Sequence, residues 1–222
     1  MYRSKTAPLQ GYEVNSLMVD ATSELSYINT WLRGQIEMYS KNYQTAISIF
    51  KSLDSPNLMC DNTLLLVTIA QCYVYTCDTK NAIASLQRAF HIDPNLNTGK
   101  DLLAHLLTQS GEKEHIRELE KLIPTDNDTS LWTCEQWVAM GYSMYVNKKY
   151  EKAAYFGQQA YTMNRKCVEG IFLKAHAFLQ LNKLIEARVH FKEVRQIAPC
   201  RYVLECSKVI SIKQFVIILS YS

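Results

Sequence analysis

Along this chain apolar and small side chains return at i, i+3, i+4 and i+7 in stretches of about a dozen residues, separated by short polar turns. From Tyr27 the stripe runs through Trp31, Leu32, Gly34, Ile36 and Met38; Asn42 marks a turn, and Ala46, Ile47, Ile49, Phe50 and Leu53 resume it. This pattern predicts two antiparallel helices. The same grammar recurs at a fixed interval: Trp137, Gly141, Tyr150, Ala153 and Ala160 are answered ~34 residues later by Ile171, Ala175, Leu184, Ala187 and Val194, ahead of Pro199. Alternation of large and small positions at that period predicts a helical hairpin that cannot bury its apolar face alone and must stack on a neighbour.

The spacing divides residues 26–201 into five hairpins in one array, at 26–60, 61–96, 97–130, 131–167 and 168–201. In the first, Gly34 and Ala46 are the small pair and Phe50 the large filler. The second has Asp61 or Asn62 as helix N-cap, Ala70 and Ala82 as the small pair, a turn at Cys77-Asp78-Thr79, Tyr73 as the large partner and Ala89 as the late small residue; Asp93-Pro94 ends it. The third is degenerate: Leu102, Leu103, Leu106 and Leu107 form a stripe and Gly111 stands as a C-cap, but Glu120 occupies an expected apolar position. Pro124 to Ser130 is read as a loop leading to a helix near Leu131. In the last two hairpins the signature is Trp137, Gly141, Tyr150, Ala153 and Ala160, then Ala175, Ala187, Phe191 and Pro199; Gly157 replaces a large residue and predicts looser packing there.

Residues 1–25 read as a partial preceding repeat or irregular segment. Residues 202–222 read as an incomplete repeat or altered tail, because Val209-Ile210-Ser211-Ile212 and Phe215 to Leu219 favour strands.

Composition narrows the classes. Apolar residues make up 48%, and seven Gly with five Pro are too few for the frequent turns of an all-β fold. With 24 basic against 21 acidic side chains and no long Lys/Arg block, nucleic acid is not an expected partner. The run Phe215 to Leu219 is too short to span a bilayer, so no membrane association is expected. Seven Cys at irregular spacing suggest reduced thiols in the nucleus or cytoplasm.

Candidate chemistry is sparse. His91, His105, His115, His176 and His190 fall on separate helices, and Cys72 and Cys77 lack the gap of a zinc knuckle. No glycine-rich phosphate loop, HExxH pair or GxSxG elbow is present. The alternating charges from Glu112 to Lys121 read as one solvated helix face, and most aromatics as hairpin core. No catalytic residue, cofactor or metal is predicted.

The Trp, Gly, Tyr, Ala, Ala, Pro positions resemble the tetratricopeptide repeat over residues 26 to 200, implying an all-α, right-handed α-solenoid. A narrower resemblance rests on Ala89-Phe90-His91-Ile92-Asp93-Pro94 with Gly99-Lys100-Asp101, on Lys149-Tyr150-Glu151-Lys152-Ala153 through Gly157, and on His190-Phe191-Lys192-Glu193 through Arg201. These stretches are similar to a family of tetratricopeptide scaffold subunits of the anaphase-promoting complex, in which Gly157 is itself expected. The resemblance implies a non-catalytic scaffold of a cell-cycle E3 ubiquitin ligase, with other tetratricopeptide subunits as partners. It also implies homodimers formed through N-terminal repeats that the matching stretch does not include. The alternative is a peptide-binding cochaperone or adaptor. Its carboxylate clamp needs converging Lys, Arg and Asn side chains, and Trp31 and Gln35 stand where Lys and Asn would be wanted.

Overall fold

The computed structural model describes residues 26–123 and 129–198. Pro199 and the expected tail lie outside the described residues, as do 1–25 and the segment 124–128. Among the described residues the chain forms ten α-helices and no strand: α1 (26–39), α2 (Tyr43–Leu53), α3 (Thr63–Tyr75), α4 (Thr79–Ile92), α5 (Lys100–Ser110), α6 (Lys113–Lys121), α7 (Cys134–Val146), α8 (Tyr150–Met163), α9 (Val168–Gln180) and α10 (Leu184–Ile197). A 3-10 turn at Thr129–Leu131 precedes α7, so the helix expected near Leu131 begins later. Its start is set by Thr133, whose hydroxyl accepts from the Gln136 N–H while the Gln136 side chain accepts from the Thr133 N–H. At α3 the cap is Asn62, whose side chain accepts from the Leu65 N–H at 3.0 Å.

Each hairpin turns by the same device. Lys41, Cys77, Gly111, Lys148 and Asn182 all have φ between 59° and 67°, and each stands two residues before the second helix of its pair. In four of the five, the next residue donates its N–H six-to-one to a carbonyl of the preceding turn: Asn42 to Glu37, Asp78 to Tyr73, Lys149 to Met144 and Lys183 to Phe178, all at 2.9 Å. That is the Schellman closure, which satisfies the orphan carbonyls of the first helix. Only one of these five left-handed residues is glycine.

Hairpins then stack in order. Second helices lean on the next first helix (α2 on α3, α4 on α5, α6 on α7, α8 on α9), and the first helices α5, α7 and α9 pack on one another. The alanines make this possible: Ala46, Ala70, Ala82, Ala89, Ala153, Ala160 and Ala175 have no exposed surface. Phe50 and Phe191 fill matching positions in α2 and α10, both fully buried. In α4 that position is held by Leu86, also fully buried, while Tyr73 packs from α3. A core of α2 to α9 residues joins a second cluster between α9 and α10, so α9 is buried on both sides.

At Gly157 the looser packing read from sequence is not found. A Cβ built there would lie 2.6 Å from the Gly170 carbonyl oxygen, and one on Gly170 would lie 2.9 Å from the Gly157 carbonyl oxygen. The missing side chain lets α8 and α9 touch backbone to backbone. The degenerate hairpin differs in another way. Its second helix, α6, has nine residues against fourteen in α4, α8 and α10, and Leu119 is its one buried residue. Glu120 faces solvent beside it.

Candidate protein-interaction surface

Crowding of α5, α7 and α9 brings their rings into one buried seam. His105 Nδ1 lies 3.0 Å from the Tyr142 hydroxyl, and its ring sits edge-on to Phe172 at 5.2 Å. Phe172 in turn meets His176 at 4.4 Å and Phe191 at 5.9 Å. His176 Nε2 is buried without a hydrogen-bond partner, and burial pulls its pKa down to about 4. This neutral imidazole packs the core between the Phe172 and Phe191 rings.

The buried thiols are shifted away from reactivity. Burial pushes the Cys72 thiol up to about 11. A hydrogen bond with Cys134, then burial, hold the Cys167 thiol far above the ordinary range. A nucleophilic cysteine needs the opposite shift. Among the described residues no three His, Cys, Asp or Glu side chains converge as a metal site would require, and no helix is long and apolar enough to cross a membrane.

The second helices are tied to one another by polar pairs. Arg88 of α4 grips the Asp54 carboxylate at the end of α2 with both terminal nitrogens, at 2.6 and 3.0 Å, and reaches Asp61 at 2.8 Å. Those contacts raise the Arg88 pKa further and lower that of Asp61. Gln87 Nε2 donates to Glu118 Oε2 at 2.7 Å between α4 and α6, and the Tyr161 hydroxyl donates to Glu193 Oε1 at 2.6 Å between α8 and α10.

Grooves open on the surface of the described residues. A larger one, about 800 Å³, lies among α4, α5 and α6 and is lined by residues including Arg88, Phe90, His91, Pro94, Lys100, Leu103, Lys121 and Leu122. A smaller one, about 330 Å³, lies along α8 and α9; there Lys174 and Lys183 both approach the Phe178 ring, at 5.5 and 5.8 Å. Apolar surface is also open at both ends of the described array: Ile28, Leu32, Ile36 and Tyr39 form a stripe along α1, and Ile185 and Val189 project from α10.

Of the residues singled out by spacing, the alanines, Phe50 and Phe191 lie between helices. Tyr73 and Trp137 are buried, as is Ala187. Tyr150 is half-buried, edge-on to Tyr145 at 5.3 Å. A Cβ on Gly34 would lie 2.5 Å from the Phe50 ring, and one on Gly141 would strike Leu173. These positions are brought into the core; among the described ones Pro94 lines the groove of α4, α5 and α6. Sequence reasoning missed Gly170, which carries no repeat signature, and Lys100 as a groove residue. Trp31, weighed as a clamp position, packs on Phe50 at 5.2 Å.

Stacked hairpins with alanine crossings and left-handed turns at each bend define an all-α, right-handed α-solenoid of the tetratricopeptide type. Two solved structures share this fold: a thermophilic tetratricopeptide-repeat protein of Thermus thermophilus, with a TM-score of 0.56 at 15% identity over 83% of this chain and 98% of that one, and the type IV pilus biogenesis factor PilW, with a TM-score of 0.53 at 15% identity over 85% of this chain and 88% of that one. No family model matches the chain.

Among curated proteins the chain is similar to anaphase-promoting complex subunit 7 of Homo sapiens and of Mus musculus, each 29% identical over 201 residues and 89% of this chain. The chain spans about a third of the length of these relatives, 35% of each.

Proposed function

We propose that this chain is a non-catalytic scaffold element of the anaphase-promoting complex, holding partner subunits through its stacked repeats. The observation that carries the reading is its collinear similarity to subunit 7 over 89% of its length. The physical mechanism is rigid presentation. Residues 26–201 act as one array, with 97–130 its degenerate member, and the apolar stripe of α1 and the open face of α10 offer surfaces on which related solenoids can continue the stack. Its signature residues act by shaping helix crossings. Partners are other tetratricopeptide subunits of the same nuclear and cytoplasmic assembly.

Tagged full-length chain, purified from dividing cells, should bring down other subunits of the complex as identified by mass spectrometry. Recovery of the folded chain without any of them would overturn the assignment.

A further inference from the structure

The α4–α5–α6 groove opens beside α6, a helix of nine residues. Its walls are partly apolar: Phe90, Leu103 and Leu122 line it beside Pro94. Cations outnumber carboxylates in its lining: Arg88, Lys100 and Lys121 stand against Glu118 alone. Arg88 is already committed to Asp54 and Asp61, and Glu118 accepts from the neutral Gln87 amide and keeps its charge, which leaves Lys100 and Lys121 as the wall cations with an excess of one positive charge.

Lys100 is half-buried, and its ammonium donates to one neutral acceptor, Asn97 Oδ1, at 3.0 Å. Burial draws its pKa down against the more distant pull of Asp93 and Glu135. Neither Lys100 nor Lys121 forms an ion pair with a described residue. A partly desolvated ammonium beside an apolar floor is complemented by a carboxylate carried on an apolar side-chain framework. The volume suits a few residues of peptide rather than a whole helix face.

We propose that this groove docks a short acidic segment of a partner protein, with carboxylates meeting Lys100 and Lys121 and a bulky apolar side chain seated between Phe90, Leu103 and Leu122. The proposal rests on the scaffold reading in that the occupant belongs to a protein partner.

The test is panning of a phage-displayed library of random peptides on the full chain, then fluorescence anisotropy of the best enriched peptide. Enriched peptides should pair Asp or Glu with a large apolar residue. Binding should weaken at least ~10-fold in Lys121→Glu, an exposed position, and in Lys100→Glu, with both variants keeping the parent circular dichroism spectrum. Lys183→Glu, in the other groove, should bind unchanged, and Lys100→Arg should retain affinity. No enrichment, enrichment without acidic residues, or equal binding to Lys121→Glu would overturn the proposal. Any of these would leave the scaffold reading standing, since that is read from subunit recovery.

Discussion

Gly157 and Gly170 place their carbonyl oxygens where a partner Cβ would be, so each α-carbon must stay bare. Because the obstacle is backbone, it cannot rotate away; Gly157→Ala or Gly170→Ala should lower stability by about 1–3 kcal/mol, seen as an earlier urea midpoint. Gly111→Ala is the informative contrast, since a Cβ there meets nothing within 4 Å and the strain comes from φ +67° alone. His176 gives the residue scale a pH dependence. Its folded pKa, about 4, lies below the ordinary value of 6.5, so between those values the unfolded chain binds the extra proton. Stability from this group is therefore full above the unfolded pKa and falls as pH drops toward 4. The chain should lose about 2 kcal/mol between neutral pH and about pH 5 from this group, measured by urea melts, and His176→Phe should flatten that loss.

At the scale of elements, the hairpin turns were only partly legible. Gly111 announces its left-handed conformation, whereas Lys41, Cys77, Lys148 and Asn182 adopt it without glycine, because the six-to-one closure holds them there. A side chain at positive φ costs about 1 kcal/mol relative to glycine. Lys148 is exposed, so Lys148→Gly should shift the urea midpoint upward by the equivalent of ~0.5–1 kcal/mol. The alanine positions were legible from their spacing, since a helical period puts them on one face. Gly170 was not, because its need is created by α8, a separate element.

Across the whole molecule, burial is uneven. α9 belongs to both core clusters, while α6 has Leu119 as its one buried residue. Hydrogen exchange should find the slowest amides in α7 to α9 and fast opening of α6, without loss of the flanking hairpins. Uniform protection along the array would contradict this picture. The same short helix lines the groove through Glu118 and Lys121.

The amino-acid order by itself determined the helices, their pairing and their approximate period, because those follow from local periodicity and turn chemistry within a few residues of chain. Only the tertiary structure decided where backbone meets backbone at Gly157 and Gly170, how far Lys100 is desolvated and which residues line the groove beside α6. Each of those depends on distances between residues far apart in the chain, which no local pattern encodes.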